Sequence, residues 1–204
     1  MADNWRHIDP ATHGGVYSIL SALVAPRPIA WVATIAPDGT DNIAPHSFYQ
    51  LVSTAPPVVM VSSIGEKDTV RNIRATGEFT VCGAPAARMA EVNDSAVEFP
   101  YGVSEFDRVG LTRLPGTRIS VPRAAEAPYA MECHLIEIRP VGNGLMILGE
   151  VVHIVVDERA FDGDQIQGER LDLASRLGAS DWGHGCSVVS VPRVSLEEFN
   201  ARAQ

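Results

Sequence analysis

The order of hydrophobic and polar positions predicts a chain built mainly of short strands. Residues 29–35 are apolar at almost every position, which is typical of a strand buried on both faces. Residues 37–40, Pro-Asp-Gly-Thr, predict a hairpin turn. The return strand starts at Asn42 and is expected to break at Pro45. A further apolar run at 58–61 predicts another buried strand.

The second half of the chain predicts one long hairpin. Residues 129–139 alternate between apolar and polar side chains, so one face is expected to be buried and the other, which includes Glu132, to be solvated. The turn at 141–144, Val-Gly-Asn-Gly, leads into a second strand over 145–156. Residues 187–191 predict a last strand.

A short helix is predicted near the start of the chain. Residues 17–24 place Ile19, Leu20 and Leu23 on one face, which is expected to point inward. This helix must end by Ala25, because the prolines that follow it favour extended backbone.

These elements predict a mostly β fold with peripheral helices, either a closed or a split β-barrel. Residues 85–96 predict another helix, and 95–113 are irregular, as segments with a functional role often are. We expect one domain over 1–204, with an N-terminal arm at 1–16 and a C-terminal tail at 179–204.

The composition narrows the classes of partner. The formal net charge is −9 and no basic cluster is present, which argues against nucleic acid or an anionic membrane as a partner. The three cysteines are widely spaced and predict no disulfide framework, which favours a reducing compartment. No apolar run approaches the roughly 18 residues of a membrane span. A cytoplasmic protein is therefore expected.

Residues 62–79 are the stretch around which the chain is organised. The polar end of a strand, with Ser62 and Ser63, meets the start of a helix, and Lys67 and Thr69 stand at that junction. A helix N-terminus offers free backbone N–H groups and the positive end of the helix dipole. Together with a lysine and several hydroxyl groups, this arrangement favours a phosphate site.

A plainer interpretation of the same stretch stays open. Asp68 is then only the N-cap of the helix, and Lys67 is a solvated charge. The helix itself is predicted in both interpretations, because Val70 and Ile73 share one face and Gly77 closes it.

The chain contains none of the common catalytic motifs. It has no GxGxxG, no GxxxxGK[ST], no HExxH and no GxSxG. His184 and Cys186 are two possible soft-metal ligands in a glycine-rich tail, which is too little for a metal site, and none is predicted. If the protein is an enzyme, a bound cofactor is expected to carry the chemistry.

A series of short motifs then stands in a fixed order along the chain. They are Pro-Arg-Pro-Ile-Ala-Trp-Val-Ala-Thr at 26–34, Asn-Ile-Ala-Pro-His-Ser-Phe at 42–48, Pro-Pro at 56–57, Lys-Asp-Thr-x-x-Asn-Ile at 67–73, Thr-Gly-Glu-Phe at 76–79, Pro-Arg at 122–123, Glu-Cys at 132–133, Gly-Glu-Val at 149–151 and Arg-Leu-Gly at 176–178. In these motifs the sequence resembles the flavin-reductase-like family of FMN-binding split barrels. That family includes flavoredoxin and the reductase components of two-component monooxygenases.

The resemblance implies an FMN-binding split β-barrel that forms a homodimer, with the flavin near the subunit interface. It implies that Lys67 and Thr69 hold the phosphate, that Ser47 reaches it from a neighbouring strand end, and that Asp68 belongs to the same site. Arg27 is a further candidate for the phosphate. The residues implied along the flavin edge are Asn42, His46, Ser62 and Ser63.

The implied activity is that of a flavin reductase, with NADH or NADPH passing hydride to FMN and the reduced flavin serving an acceptor such as a partner monooxygenase. No catalytic residue is assigned, and His46 is the best candidate. Family members often have a tyrosine near Trp182, so what covers the flavin ring is left open. The alternatives are a non-enzymatic FMN-binding electron carrier and, further away, a heme- or pyridoxal-phosphate-binding relative on the same barrel.

Overall fold

The computed structural model describes residues 4–202, and its centre is a seven-stranded antiparallel sheet. The strands of this sheet lie in the order β3-β2-β6-β9-β10-β5-β4. In chain order the strands are β1 Arg27–Pro28, β2 Ala30–Ile35, β3 Asp41–His46, β4 Tyr49–Thr54, β5 Pro57–Ile64, β6 Glu78–Gly83, β7 Arg113–Leu114, β8 Arg123–Ala124, β9 Tyr129–Val141, β10 Gly144–Val156, β11 Phe161–Asp162, β12 Gln165–Ile166, β13 Ala174–Arg176 and β14 Trp182–His184. The helices are α1 Val16–Leu23, α2 Asp68–Thr76, α3 Met89–Asp94, α4 Glu105–Arg108 and α5 Leu196–Arg202, with short 3-10 turns at Ala86–Arg88, Glu158–Ala160 and Gly168–Leu171.

The first predicted hairpin is confirmed, with one correction. β2 is buried along almost its whole length, and the turn to β3 is closed by a hydrogen bond from Ala36 N to Thr40 O of 2.8 Å. The predicted break at Pro45 is wrong, because β3 continues to His46 and Pro45 lies opposite Trp31. β3 stands at the end of the strand order, where a proline can face away from the hydrogen-bonded partner without losing a ladder bond.

The long hairpin of β9 and β10 is also confirmed, and it bends around Gly149. The register between the two strands shifts between Leu148 and Gly149. A Cβ at position 149 would stand 2.3 Å from Cζ of Phe79, so the Phe79 ring occupies the space that a side chain would need. A glycine is therefore required where the ring crosses the strand.

Two hydrophobic cores lie on opposite faces of the sheet, which explains why β2 is apolar at every position except Thr34. Val32 points into a core with Phe79, where α2 adds Val70 and Ile73. Trp31 points into the second core, which is covered by Phe106 of α4, Val92 of α3, and the stretch from Leu111 to Ala124. Successive residues of β2 therefore serve different cores.

The helix α1 is confirmed in extent but not in orientation. Leu20 is 53% exposed and Leu23 is 75% exposed, while Ser21 is the buried residue of the helix. The predicted inward face is therefore wrong for the isolated chain. The predicted helix over 85–96 is present as a 3-10 turn followed by α3, and its buried residue is Val92.

Two further predictions about strands are corrected. Residues 187–191 form no strand, and the described tail instead adds β14 to β13 and β1 before it ends in α5. Glu132 was expected to be solvated but is buried, where its carboxylate accepts hydrogen bonds of 2.6 Å from the backbone N–H groups of Thr117 and Arg118. In the described part of the chain, no helix has the length and apolarity to cross a membrane.

Candidate functional site

A cleft of about 500 Å³ opens between the end of β3, the end of β5, the start of α2 and the segment 95–99. This segment follows α3 and forms one wall. The cleft brings together all the residues predicted for the cofactor except Arg27. Those that line it are Asn42, His46, Ser47, Ser62, Ser63, Lys67, Asp68 and Thr69.

The turn from β5 into α2 presents an uncapped helix N-terminus to the cleft. Lys67 occupies the N-cap position with extended backbone, and no side chain caps this end of the helix. The plainer interpretation of Asp68 as the N-cap is wrong, since Asp68 is the first residue of α2 and its carboxylate pairs with Arg71. The first-turn N–H groups and the Lys67 ammonium therefore face the same space, which suits an anion.

Several of the predicted polar residues form a buried hydrogen-bond network behind the cleft wall. The Thr69 hydroxyl donates to Oδ1 of Asn42 at 3.3 Å, and Nε2 of His46 lies 3.3 Å from the same hydroxyl. Nδ2 of Asn42 donates to the carboxylate of Glu105 at 2.8 Å. Asn42, His46 and Thr69 are all buried, so they fix the shape of the wall from β3, α2 and α4.

His46 is held neutral inside this network. Burial is the largest cause, and the positive charge of Lys67 adds to it, so that the pKa of His46 falls to about 4. A neutral imidazole keeps one nitrogen as a donor and one as an acceptor. His46 therefore adds hydrogen bonds to the site at neutral pH without adding a charge.

Glu105 is the residue that the sequence did not reveal. It is almost fully buried in α4, lines the cleft, and also accepts a hydrogen bond from Ile43 N at 3.2 Å. Burial raises its pKa. Arg113 holds the position of α4, since it pairs with Asp41 at the start of β3 and with Asp107 at 2.8 Å. In the sequence, the only sign of a functional role for Glu105 is its place in the irregular segment 95–113.

Arg27 lies outside the cleft lining, and its guanidinium is occupied by other groups. It donates to the carbonyl oxygens of Ser21, Val24 and Leu177, at 2.9 Å for Val24 and 2.8 Å for Leu177. Its Nε also donates to the Ser47 hydroxyl at 3.4 Å. Arg27 thus links α1 and the tail to Ser47, and its role as a phosphate ligand stays a prediction.

The serine hydroxyl groups that line the cleft differ in how exposed they are to a ligand. Ser63 is buried and donates to the carbonyl of Gly65 at 3.0 Å, so it shapes the turn before α2. Ser47 and Ser62 are partly exposed at the cleft. Trp182 is not part of the cleft wall. It packs against the second core, which contains Trp31, and its ring lies 4.7 Å from the guanidinium carbon of Arg176.

A domain profile, a sequence relative and a solved structure each match most of this chain. Residues 23–169 match the profile of the flavin reductase like domain. A protein of Deinococcus radiodurans is 39% identical over 174 residues, which cover 79% of this chain and 77% of that protein. The crystal structure of nitrilotriacetate monooxygenase component B from Bacillus cereus superposes with a TM-score of 0.88 at 30% identity, covering 93% of this chain and 100% of that one.

A structure from Shewanella frigidimarina, described as having a split barrel domain, matches with a TM-score of 0.85 at 19% identity and covers 93% of this chain and 100% of that one. At that identity the match concerns the fold alone. The fold predicted from the sequence, a mostly β split barrel with peripheral helices, is therefore confirmed.

The depressed pKa of His46 predicts a loss of stability in mild acid. The pKa is about 4 in the folded chain against an ordinary 6.5, so below pH 6.5 the unfolded chain takes up a proton that the folded chain resists. Between pH 7.5 and 4.5 the free energy of unfolding should fall by about 2 kcal/mol from this group alone. Urea unfolding of the wild type and of His46→Gln at both pH values measures the difference.

The carboxylates that titrate in the same range are common to both proteins and cancel in the comparison. An equal loss of stability in the wild type and in His46→Gln would show that His46 is not buried as the structure places it.

Proposed function

We propose that this chain, which belongs to the flavin reductase like domain family, binds FMN in the cleft and reduces it with NADH or NADPH. The family match supports a flavin-dependent oxidoreductase of the flavin reductase type. The observation that favours FMN is the corner of the cleft where the uncapped start of α2 meets the Lys67 ammonium. That corner suits a phosphate monoester.

The residues present fit such a ligand. A cleft of about 500 Å³ lies within the range of roughly 300–1,000 Å³ that is usual for small-molecule sites. Lys67, the first-turn N–H groups of α2 and the Ser47 hydroxyl would hold the phosphate, and Ser62 would line the flavin edge. Bound FMN supplies a ring system that accepts hydride from a nicotinamide.

The chain's own part in this reaction is positioning. Asn42, Thr69 and His46 keep their places through the buried network, and Glu105 anchors Asn42 from α4. The wall is therefore preorganised, which limits the entropy that is lost when a ligand is ordered against it. We assign no general acid or base, and a catalytic role for His46 stays a prediction.

We further propose that the chain works as a homodimer in the cytoplasm and that its reduced flavin serves an acceptor such as a partner monooxygenase. α1 exposes Leu20 and Leu23, and Tyr17, which is 65% exposed, also lines the cleft and lies 6.5 Å from the ring of Phe48. An exposed apolar surface next to the cleft suits a subunit contact. The free cysteines suit a reducing compartment.

The dimer proposal predicts that a charge on α1 separates the subunits. Leu23→Asp places a carboxylate on the exposed apolar face and should raise the dimer dissociation constant about tenfold or more. Light scattering after size exclusion, over a range of concentrations, measures it. Ile166→Asp, on the separate β11–β12 ribbon, is the control. A wild-type chain that stays monomeric at high concentration would refute the proposal.

The phosphate site predicts a large effect of reversing the Lys67 charge. Lys67→Glu replaces an attracting cation with a repelling anion and should weaken FMN binding by about 3 kcal/mol, roughly a hundredfold. Fluorescence titration measures the affinity for FMN and for riboflavin, which lacks the phosphate. Arg74→Glu makes the same charge change on α2 outside the cleft lining and should have little effect. Unchanged FMN affinity in folded Lys67→Glu would place the phosphate elsewhere.

The reductase activity itself is tested by anaerobic reduction. With FMN bound, NADH or NADPH should bleach the visible flavin absorbance, and an added electron acceptor should allow many turnovers. A flavin that only a protein donor reduces would identify the electron carrier instead. A chain that cannot be reconstituted with FMN would contradict both.

A further inference from the structure

The proposed phosphate ligand is already paired with an acid of this chain. Nζ of Lys67 lies 3.0 Å from Oε1 of Glu98. Both residues line the cleft, Lys67 at the start of α2 and Glu98 on the segment 95–99 that forms another wall. The ion pair therefore spans the space that an anionic group must enter to reach Lys67.

The backbone that carries Glu98 is anchored while its side chain is not. Ser95, at the base of the segment, is buried, and its hydroxyl accepts from Nε1 of Trp31 at 2.9 Å and donates to the Val92 carbonyl at 2.9 Å. Phe99 N donates to the Val97 carbonyl at 2.9 Å. The Glu98 side chain is 80% exposed. Its carboxylate is thus kept near Lys67 and is still free to swing into solvent.

The charges in the cleft make this pair a competitor for an anion. Lys67 is half exposed, and its ammonium already pairs with the Glu98 carboxylate at 3.0 Å. A phosphate dianion that takes the place of the Glu98 carboxylate leaves that carboxylate beside a like charge, which is unfavourable. Exposed ion pairs of this kind are weak, so displacement is possible at a moderate loss of affinity.

We propose that Glu98 is an internal competitor for the phosphate of the flavin and that it lowers the affinity of the cleft for FMN. The proposal rests on the proposed function, since it concerns the same corner of the cleft. In the free protein the carboxylate occupies Lys67, and binding of the phosphate expels it. The observed affinity is reduced by the fraction of molecules in which Lys67 is occupied. Riboflavin has no phosphate and gains nothing from Lys67, so its affinity is independent of the pair.

The test compares Glu98→Gln with the wild type, using FMN and riboflavin as the two probes. Glu98→Gln removes the competing charge and should tighten FMN binding about two- to fivefold, mostly through faster association because Lys67 is open in the free protein, with riboflavin unchanged. The gain should shrink at high salt, which screens the exposed pair in the wild type. Stopped-flow fluorescence gives the two rate constants, and circular dichroism verifies folding.

Two matched variants separate the pair from a general effect of charge. Glu66→Gln removes an equal charge from the same cleft, but Glu66 pairs with Arg74 at 3.6 Å and not with Lys67. It should therefore change FMN affinity less than Glu98→Gln does. In a Lys67→Gln background, Glu98→Gln should have a much smaller effect on FMN, because the ion pair is already lost and only the repulsion between Glu98 and the phosphate remains.

The outcomes are distinct. Equal gains in Glu66→Gln and Glu98→Gln, or a gain of the same size without Lys67, would overturn the role of the pair. Weaker FMN binding in Glu98→Gln would also overturn it and make Glu98 a contact of the flavin. If the wild type binds FMN and Glu98→Gln is unchanged, only this inference fails. If the wild type binds no FMN, the proposed function itself fails.

Discussion

The cleft keeps its shape because the side chain of Asn42 is hydrogen-bonded on both of its polar atoms. Its amide nitrogen donates to Glu105 of α4, and its amide oxygen accepts from Thr69 of α2. One buried side chain of β3 thus joins two helices that are far apart in sequence. A buried amide that loses a hydrogen-bond partner raises the free energy of the fold. Each of the two Asn42 hydrogen bonds therefore helps to keep the side chain where it can make the other. The helix α2, whose start lines the cleft, is fixed through the same bonds.

Burial also decides which groups in the site carry charge. His46 is neutral because it is enclosed, and enclosure raises the pKa of Glu105. Lys67 and the acidic residues around the cleft mouth lie where solvent reaches them. The site therefore combines a rigid, buried interior of hydrogen-bonded groups with an adjustable charged rim. Under the proposed function, the flavin ring and its phosphate would be recognised by different layers of the wall.

Most of the fold could be predicted from local patterns. The β2–β3 and β9–β10 hairpins have turn residues that favour tight hairpins, and α2 has an apolar face with a glycine at its end, where φ is +74°. β4 has no clear pattern, because it is an edge strand with exposed Leu51 and Val52, and it was missed. Local patterns record which face is apolar but not whether that face meets a core or another molecule. This is why Leu20 and Leu23 were placed inward.

The site could be predicted in its residues and less well in their roles. Short motifs found the residues on β3, β5 and α2, because these are neighbours in sequence as well as in space. Glu105 and Glu98 were missed, since each meets its partner across a long stretch of chain and neither stands in a motif. Arg27 was found, but its contacts to carbonyl oxygens depend on where α1 and the tail lie. Sequence patterns do not carry such distant contacts.

The crossing of Phe79 over Gly149 has a consequence for how this chain can evolve or be redesigned. The Phe79 ring and any side chain at position 149 would occupy the same volume, so which residues are tolerated at one position depends on the other. A Cβ at position 149 can be accommodated only if the residue at position 79 lacks the aromatic ring. The backbone of the β9–β10 hairpin around position 149 must then change as well. Exposed positions at the cleft rim, such as Glu98, have no such steric conflict. Substitutions that change ligand specificity are therefore tolerated most easily at the rim.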